Sequence, residues 1–215
     1  GYGVAPHSLR AVSAENLQSY SALFPTGPIH MHLAEQVPEV GEVQKQWGAR
    51  PVEWALDNME LDARWCLIHC TQMTTQETVR LAQSGAVAGL CPITESNLGD
   101  GIFDAVRWTD SGGEIAVGSD SNIRIALSEE LRTLEYSQRL RDGARATLAS
   151  IEYSTGRRMF EGILSGGAQA SQRKTGRLAV GYWADMLTLD PSSEHLWGRK
   201  NDTCLLNTSD ASDEL

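Results

Sequence analysis

The 215-residue sequence has little that would tie it to a secreted scaffold, a membrane or a polyanion. Its four cysteines, Cys66, Cys70, Cys91 and Cys204, lack the paired spacing of a disulfide framework. Free thiols in a reducing compartment are therefore expected, and with them a cytoplasmic location. No apolar run approaches the roughly 20 residues that a membrane-spanning helix needs. Positive charge is short: 18 Lys and Arg stand against 28 Asp and Glu, a formal net charge of -10. Nucleic acid and anionic membrane both need a basic footprint, so neither is an expected partner. An anionic small molecule is not excluded, because one arginine or a bound cation reverses the field inside a pocket. With 41% hydrophobic residues the composition is that of an ordered globular chain, long enough for one sizeable core.

What is present is an alternation of short, continuously apolar strands with helical segments. Gly3 to Ser8 reads as the end of a strand stopped by Pro6. Ser13 caps a helix running to Leu23, and Gly27-Pro28 ends that region before a strand from Ile29 to Leu33. Helical sequence follows from about Pro38 to Trp47 and from Pro51 to about Asn58. Trp65 to Cys70 is the next strand, and Thr74 or Thr75 caps a helix to about Gln83, with Glu77 placed for a capping box. Gly85 to Cys91 and Glu114 to Ser121 are two further strands; the first is stopped by Pro92. A helix comes next, with Leu127, Leu131, Leu134 and Leu140 as its apolar stripe. Tyr153 to Gln172 reads as helix interrupted at Gly166-Gly167, and Thr175 to Asp190 as a tight glycine turn and a strand. Residues 201–215 are polar and aperiodic, and are expected to be a disordered or non-native tail. Continuous rather than alternating apolar strands, separated by helices, indicate a parallel sheet covered by helices.

Chemistry-bearing groups fall where strands end: His32, His69 and Asp120, with His7 ending the partial strand before them. On a strand His30 and His32 share a face, and Glu35 lies just past the strand end. Alone, this pair reads somewhat better as two core histidines before a helix-starting glutamate. The coincidence of several such groups at strand ends favours function, because those ends converge on one mouth in a (β/α)-barrel. Cys66, His69 and Cys70 also crowd together, but on a strand His69 faces away from both thiols, which argues against a structural zinc site there.

The set His32-x-x-Glu35, His69 and Asp120, with the Gly176 to Asp190 segment, resembles the deaminase branch of the amidohydrolase superfamily. Within that branch the likeness is greater to the enzymes acting on N-formimidoyl-L-glutamate. It is carried by Gly3 to Arg10, Glu35-Gln36, His69 to Gln72, Cys91 to Phe103, Gly118 to Asn122, Glu129 to Arg132 and Leu134 to Tyr136. The resemblance implies an α/β fold consisting of about strands 4 to 8, the C-terminal half of a (β/α)8 TIM-type barrel. Residues 1–174 would be barrel, and 175–200 the return toward a small β-domain. It implies one divalent metal, Zn2+, held by His32 and Asp120, with a strand-1 His-x-His pair outside this sequence. His30-x-His32 is not read as that pair, since His69 follows too soon for strand 5 of a barrel.

It further implies Glu35, His69 and Asp120 as catalytic groups. His7 and Arg10 would bind the substrate carboxylate. Ser119, Ser121 and Asn122 would orient Asp120, while Glu95 and Asp100 receive no role. The implied reaction is hydrolysis of N-formimidoyl-L-glutamate to N-formyl-L-glutamate and ammonia in histidine degradation. A small-molecule substrate, a homodimer at full length and inactivity of the isolated fragment follow as expectations. The alternatives are another deaminase or chlorohydrolase of the branch, acting on guanine, adenosine or a triazine, and a half-barrel without turnover.

Overall fold

A computed structural model of the chain describes residues 2–188, 190 and 192–194. Four parallel strands, β1 (Ile29–Leu33), β2 (Trp65–His69), β3 (Val87–Leu90) and β4 (Glu114–Val117), lie side by side in chain order. Each connection crosses back through helix: α2 (Val37–Trp47) and α3 (Pro51–Asn58), then α4 (Thr75–Ala82), then α5 (Pro92–Leu98) and α6 (Ala105–Asp110). Helix α1 (Ala14–Leu23) precedes the sheet, and α7 (Leu127–Asp142) and α8 (Thr155–Ser171) follow it. The expected α/β architecture with a parallel sheet is therefore present.

Local chemistry sets the helix ends. Ser13 and Thr74 accept the backbone N–H of Asn16 and Glu77, and the Glu77 carboxylate takes the Thr74 N–H in return. Pro51 occupies a first-turn position that needs no donor. The sheet registers Met31 with Leu67 and Leu67 with Ala88. Ile29, Met31, Leu33, Trp65, Leu67 and Leu90 are fully buried against the helices. Each such large side chain contributes about 1.5–3 kcal/mol relative to exposure.

Several expectations change. The partial strand before β1 contributes a single bridge, Val4 to Ile29. The stretches after Pro92 and Asp104 form the short helices α5 and α6, which are too brief to show periodicity. In α7 only Leu131 and Leu134 of the expected stripe are buried; Leu127 and Leu140 are exposed. Their places inside go to Glu130, Glu135 and Gln138, whose polar atoms bond to neighbouring loops. Helix α8 continues through Gly166-Gly167 without a break. Gly166 is required there, since a Cβ would stand 2.0 Å from the Ile115 carbonyl oxygen of β4. Among its described residues, the segment after Gly176 forms no strand, because none of the four strands pairs with it. The expected tail at 201–215 lies outside the described residues.

Candidate active site

All the candidate groups except Arg10 gather at the C-terminal ends of the strands. His32 is on β1, and its ring lies 5.1 Å from that of His7 and 5.7 Å from that of His69, centre to centre. The His7 carbonyl accepts from His32 Nδ1 at 3.0 Å. A carbonyl only accepts, so the proton sits on Nδ1 and the Nε2 lone pair is left free for a ligand. His30, on the same strand, bonds through Nε2 to the Ala170 carbonyl at 2.8 Å. It is a structural histidine tying β1 to α8, the bland outcome for one member of the pair.

His69 departs from simple alternation. Its register partner across β1 is Leu33 and that of Ile68 is His32, so a regular pleat would turn His69 away from His32. Its φ of +73°, followed by +51° at Cys70, breaks the pleat at the strand end and lets its ring stack on His32. Ala34 and Asp120 also have left-handed φ, +52° and +48°. A non-glycine residue held in this region costs on the order of 1–3 kcal/mol, and such strain clusters at functional sites. Here it aims side chains from the ends of three strands at one point.

Around the buried His69 ring stand three carboxylates. Nδ1 is 3.2 Å from Glu95 Oε1. Nε2 is 3.7 Å from Glu35 Oε1 and 4.0 Å from Asp120 Oδ2. Burial works against a charged imidazole, but the Glu95 hydrogen bond and the charges of Glu35, Glu95 and Asp120 outweigh it and raise the His69 pKa. The pKa of Glu35 is raised too. Desolvation is the largest cause, opposed by His69 and reinforced by Asp100 and Glu39.

The Glu35 loop is held from below. The buried Glu39 carboxylate accepts the backbone N–H groups of Ala34, Glu35 and Gln36 at 3.0, 2.8 and 3.5 Å. Gln36 Nε2 donates to Asp100 Oδ1 at 2.9 Å, and Gln72 Nε2 donates to the Asp100 carbonyl. Next to Asp120, Thr94 donates its hydroxyl to the Ser119 carbonyl at 2.9 Å, and Asn122 Nδ2 donates to the same oxygen. Asn122 thus braces the Asp120 turn. Arg10 is directed elsewhere, forming a partly exposed pair with Glu42 of α2 at 3.7 Å; it does not join His7 in the gathered cluster.

One ligand atom each of His69, Cys91 and Asp120 lie within 4.8 Å of one another, a set able to hold a metal ion. This differs from the expected pair His32 and Asp120, sharing only Asp120. Burial pushes the Cys91 thiol well up, which disfavours the thiolate that a metal would take, whereas His69, with Nδ1 engaged by Glu95, still offers Nε2. Imidazole and carboxylate, the donor types of His32 and Asp120, are the usual donors for a divalent ion of zinc type.

Cys91 and Glu95 were not singled out as site residues from the sequence. The Cys91-Pro92 strand stop marks the position, but nothing local shows that Glu95, one turn into a short helix, reaches back to His69.

Over 205 residues the chain is 44% identical to formimidoylglutamate deiminase of Pseudomonas aeruginosa, covering 94% of this chain and 45% of the relative. It is 31% identical to a 5-methylthioadenosine/S-adenosylhomocysteine deaminase of Halobacterium salinarum, covering 89% and 44%. A crystal structure of an amidohydrolase from Brucella melitensis superposes with a TM-score of 0.88 at 49% identity, over 95% of this chain and 45% of that one. A zinc-bound adenosine deaminase from Xanthomonas campestris superposes with a TM-score of 0.84 at 22% identity, over 95% and 47%, a likeness of fold. The chain thus spans less than half the length of these relatives. A profile of the amidohydrolase family matches residues 2–210, and the chain belongs to that family.

Proposed function

We propose that this chain is the part of a deiminase that carries most of its acid–base groups, and that the whole enzyme hydrolyses N-formimidoyl-L-glutamate to N-formyl-L-glutamate and ammonia in histidine degradation. The observation that carries the reading is the placing of Glu35 and Asp120 near the same nitrogen, His69 Nε2, at 3.7 and 4.0 Å. The 44% identity to a formimidoylglutamate deiminase supports the substrate. The 45% coverage of that relative supports a barrel portion of about strands 4 to 8, with residues 1–174 as barrel and 175–200 leading toward a small β-domain.

His32 and Asp120 would hold one Zn2+, together with two histidines from outside this sequence. Such an ion supplies hydroxide at neutral pH by lowering the pKa of water to about 7. Asp120 takes the proton of the attacking water. His69, with Nε2 turned to the centre, steadies the negative charge that develops on the attacked carbon's substituents. Glu35 keeps its proton to a higher pH than an ordinary glutamate, and delivers it to the amidine nitrogen so that ammonia can leave. His7, beside His32, faces the substrate carboxylate; Arg10 would have to leave Glu42 to join it.

Among the described residues no helix is long and apolar enough to cross a membrane. A cytoplasmic homodimer acting on a small molecule is part of the same proposal, as is inactivity of the 215 residues alone.

The test is an assay of this chain joined to an upstream segment bearing a His-x-His strand, on N-formimidoyl-L-glutamate, guanine and adenosine. Ammonia release from the first, lost in E35Q, is the expected result. Turnover of the heterocycles alone would overturn the substrate assignment. Full activity of the 215 residues by themselves would overturn the half-site reading.

A further inference from the structure

Glu95 has no part in the proposed chemistry, yet it is one of the most enclosed carboxylates in the chain, 4% exposed. Its Oε1 stands 3.2 Å from His69 Nδ1 and 2.9 Å from the backbone nitrogen of Cys91. The amide can only donate, so this oxygen is an acceptor, and the histidine nitrogen facing it must carry a proton. The Cys91 N–H marks the end of β3 and His69 the end of β2. One oxygen therefore fastens the catalytic ring of one strand to the backbone of the next. We infer that Glu95 is a positioning residue: it holds His69 in the form protonated at Nδ1 and so presents Nε2, and only Nε2, to Glu35 and Asp120.

The alternative ring orientation would exchange a nitrogen for a carbon beside Glu35 and leave the buried Glu95 carboxylate with the Cys91 amide but without its histidine donor. Removing one partner of a buried charged hydrogen bond leaves the other desolvated and unpaired, at a full desolvation cost. That cost is the discrimination Glu95 supplies. The adjacent helix strengthens the arrangement. Glu130 Oε2 accepts the Ile93 N–H at 2.8 Å at the start of α5, so the helix carrying Glu95 is itself pinned to α7. This inference rests on the reading of His69 as the group turned to the reacting centre.

The experiment reads the ring and no turnover, so a failed activity assay leaves it untouched. Chain labelled with 15N-histidine is examined by long-range 15N–1H correlation, and the His69 signals are identified by their loss in H69Q. In the wild-type chain the expected Nδ1 resonance is of the protonated, pyrrole type. E95Q retains an acceptor oxygen and should keep that resonance. E95L should lose it, with the Nδ1 signal moving toward the unprotonated type while the circular dichroism of the chain is unchanged. A wild-type Nδ1 of the unprotonated type overturns the inference, and so does an Nδ1 signal that E95L leaves in place. Should E95L not fold, the wild-type and E95Q spectra decide the matter.

Discussion

Glu35 Oε1 lies 3.7 Å from His69 Nε2, and the pKa of each group is raised although one is an acid and the other a base. For the histidine the neighbouring carboxylates prevail over burial. For the glutamate burial prevails over the histidine, with Asp100 and Glu39 adding to it. The pair is thus biased toward holding protons, as a site must be if it delivers one to a leaving amine.

A pH dependence of stability follows for Glu35. Its folded pKa lies above the reference value of 4.5. The unfolded chain therefore releases the proton first, and the contribution of this group falls as pH rises from the unfolded toward the folded pKa. E35Q removes that dependence. Thermal melts should show E35Q more stable than wild type at pH 7, with the difference closing near pH 4; a gap that widens toward acid would contradict the assignment.

Glu135 is wholly buried on α7 and accepts from Arg139 Nε at 2.6 Å, Thr147 N at 2.9 Å and Leu148 N at 3.0 Å. E135A leaves those two amides of the α7–α8 connection without their acceptor. Urea denaturation should show a loss of about 3–5 kcal/mol, the range for breaking a buried charged network. R157A, which opens the exposed Arg157–Glu161 pair of α8, should leave the denaturation midpoint nearly unchanged.

Two adjacent glycines of α8 should respond oppositely. At Gly166 a Cβ would meet the backbone of Ile115 at 2.0 to 3.0 Å, so G166A forces α8 off β4 and should destabilise by about 1–3 kcal/mol despite better helix propensity. At Gly167 nothing lies within 4 Å, and G167A should stabilise by about 0.5–1 kcal/mol. Equal effects in the same denaturation assay would mean that α8 does not pack as described.

Cys66, Cys70 and Cys91 are buried, and burial pushes the Cys66 thiol up to about 12 and the other two well up. With four cysteines in the sequence, an aromatic disulfide reagent at pH 8 should find at most one fast thiol in the native chain and four after denaturation. A second fast thiol would place one of the three at the surface.

Much of the architecture could be read locally. Ser13 with its bond to Asn16, the Thr74–Glu77 box and Pro51 each act within one turn, so α1, α3 and α4 sit within about a residue of expectation. The expected strands shrink or vanish where pairing stops, at Val4, past Val117 and after Gly176, because a strand is defined by what it pairs with. The stripe on α7 misled at Leu127 and Leu140 for a related reason. Glu130, Glu135 and Gln138 can be buried because amides and carbonyls distant in sequence satisfy them.

The order of strands and helices, and the placing of His32, His69 and Asp120 at or just past strand ends, were set by the chain's own periodicity, caps and breakers, which act over a few residues. Which nitrogen of His69 faces Glu35, the reach of Glu95 across to it and the turning of Arg10 to Glu42 were decided only by tertiary structure. Those outcomes depend on left-handed backbone at strand ends and on donors and acceptors brought together from 26 to 51 residues apart, and no local rule carries that geometry.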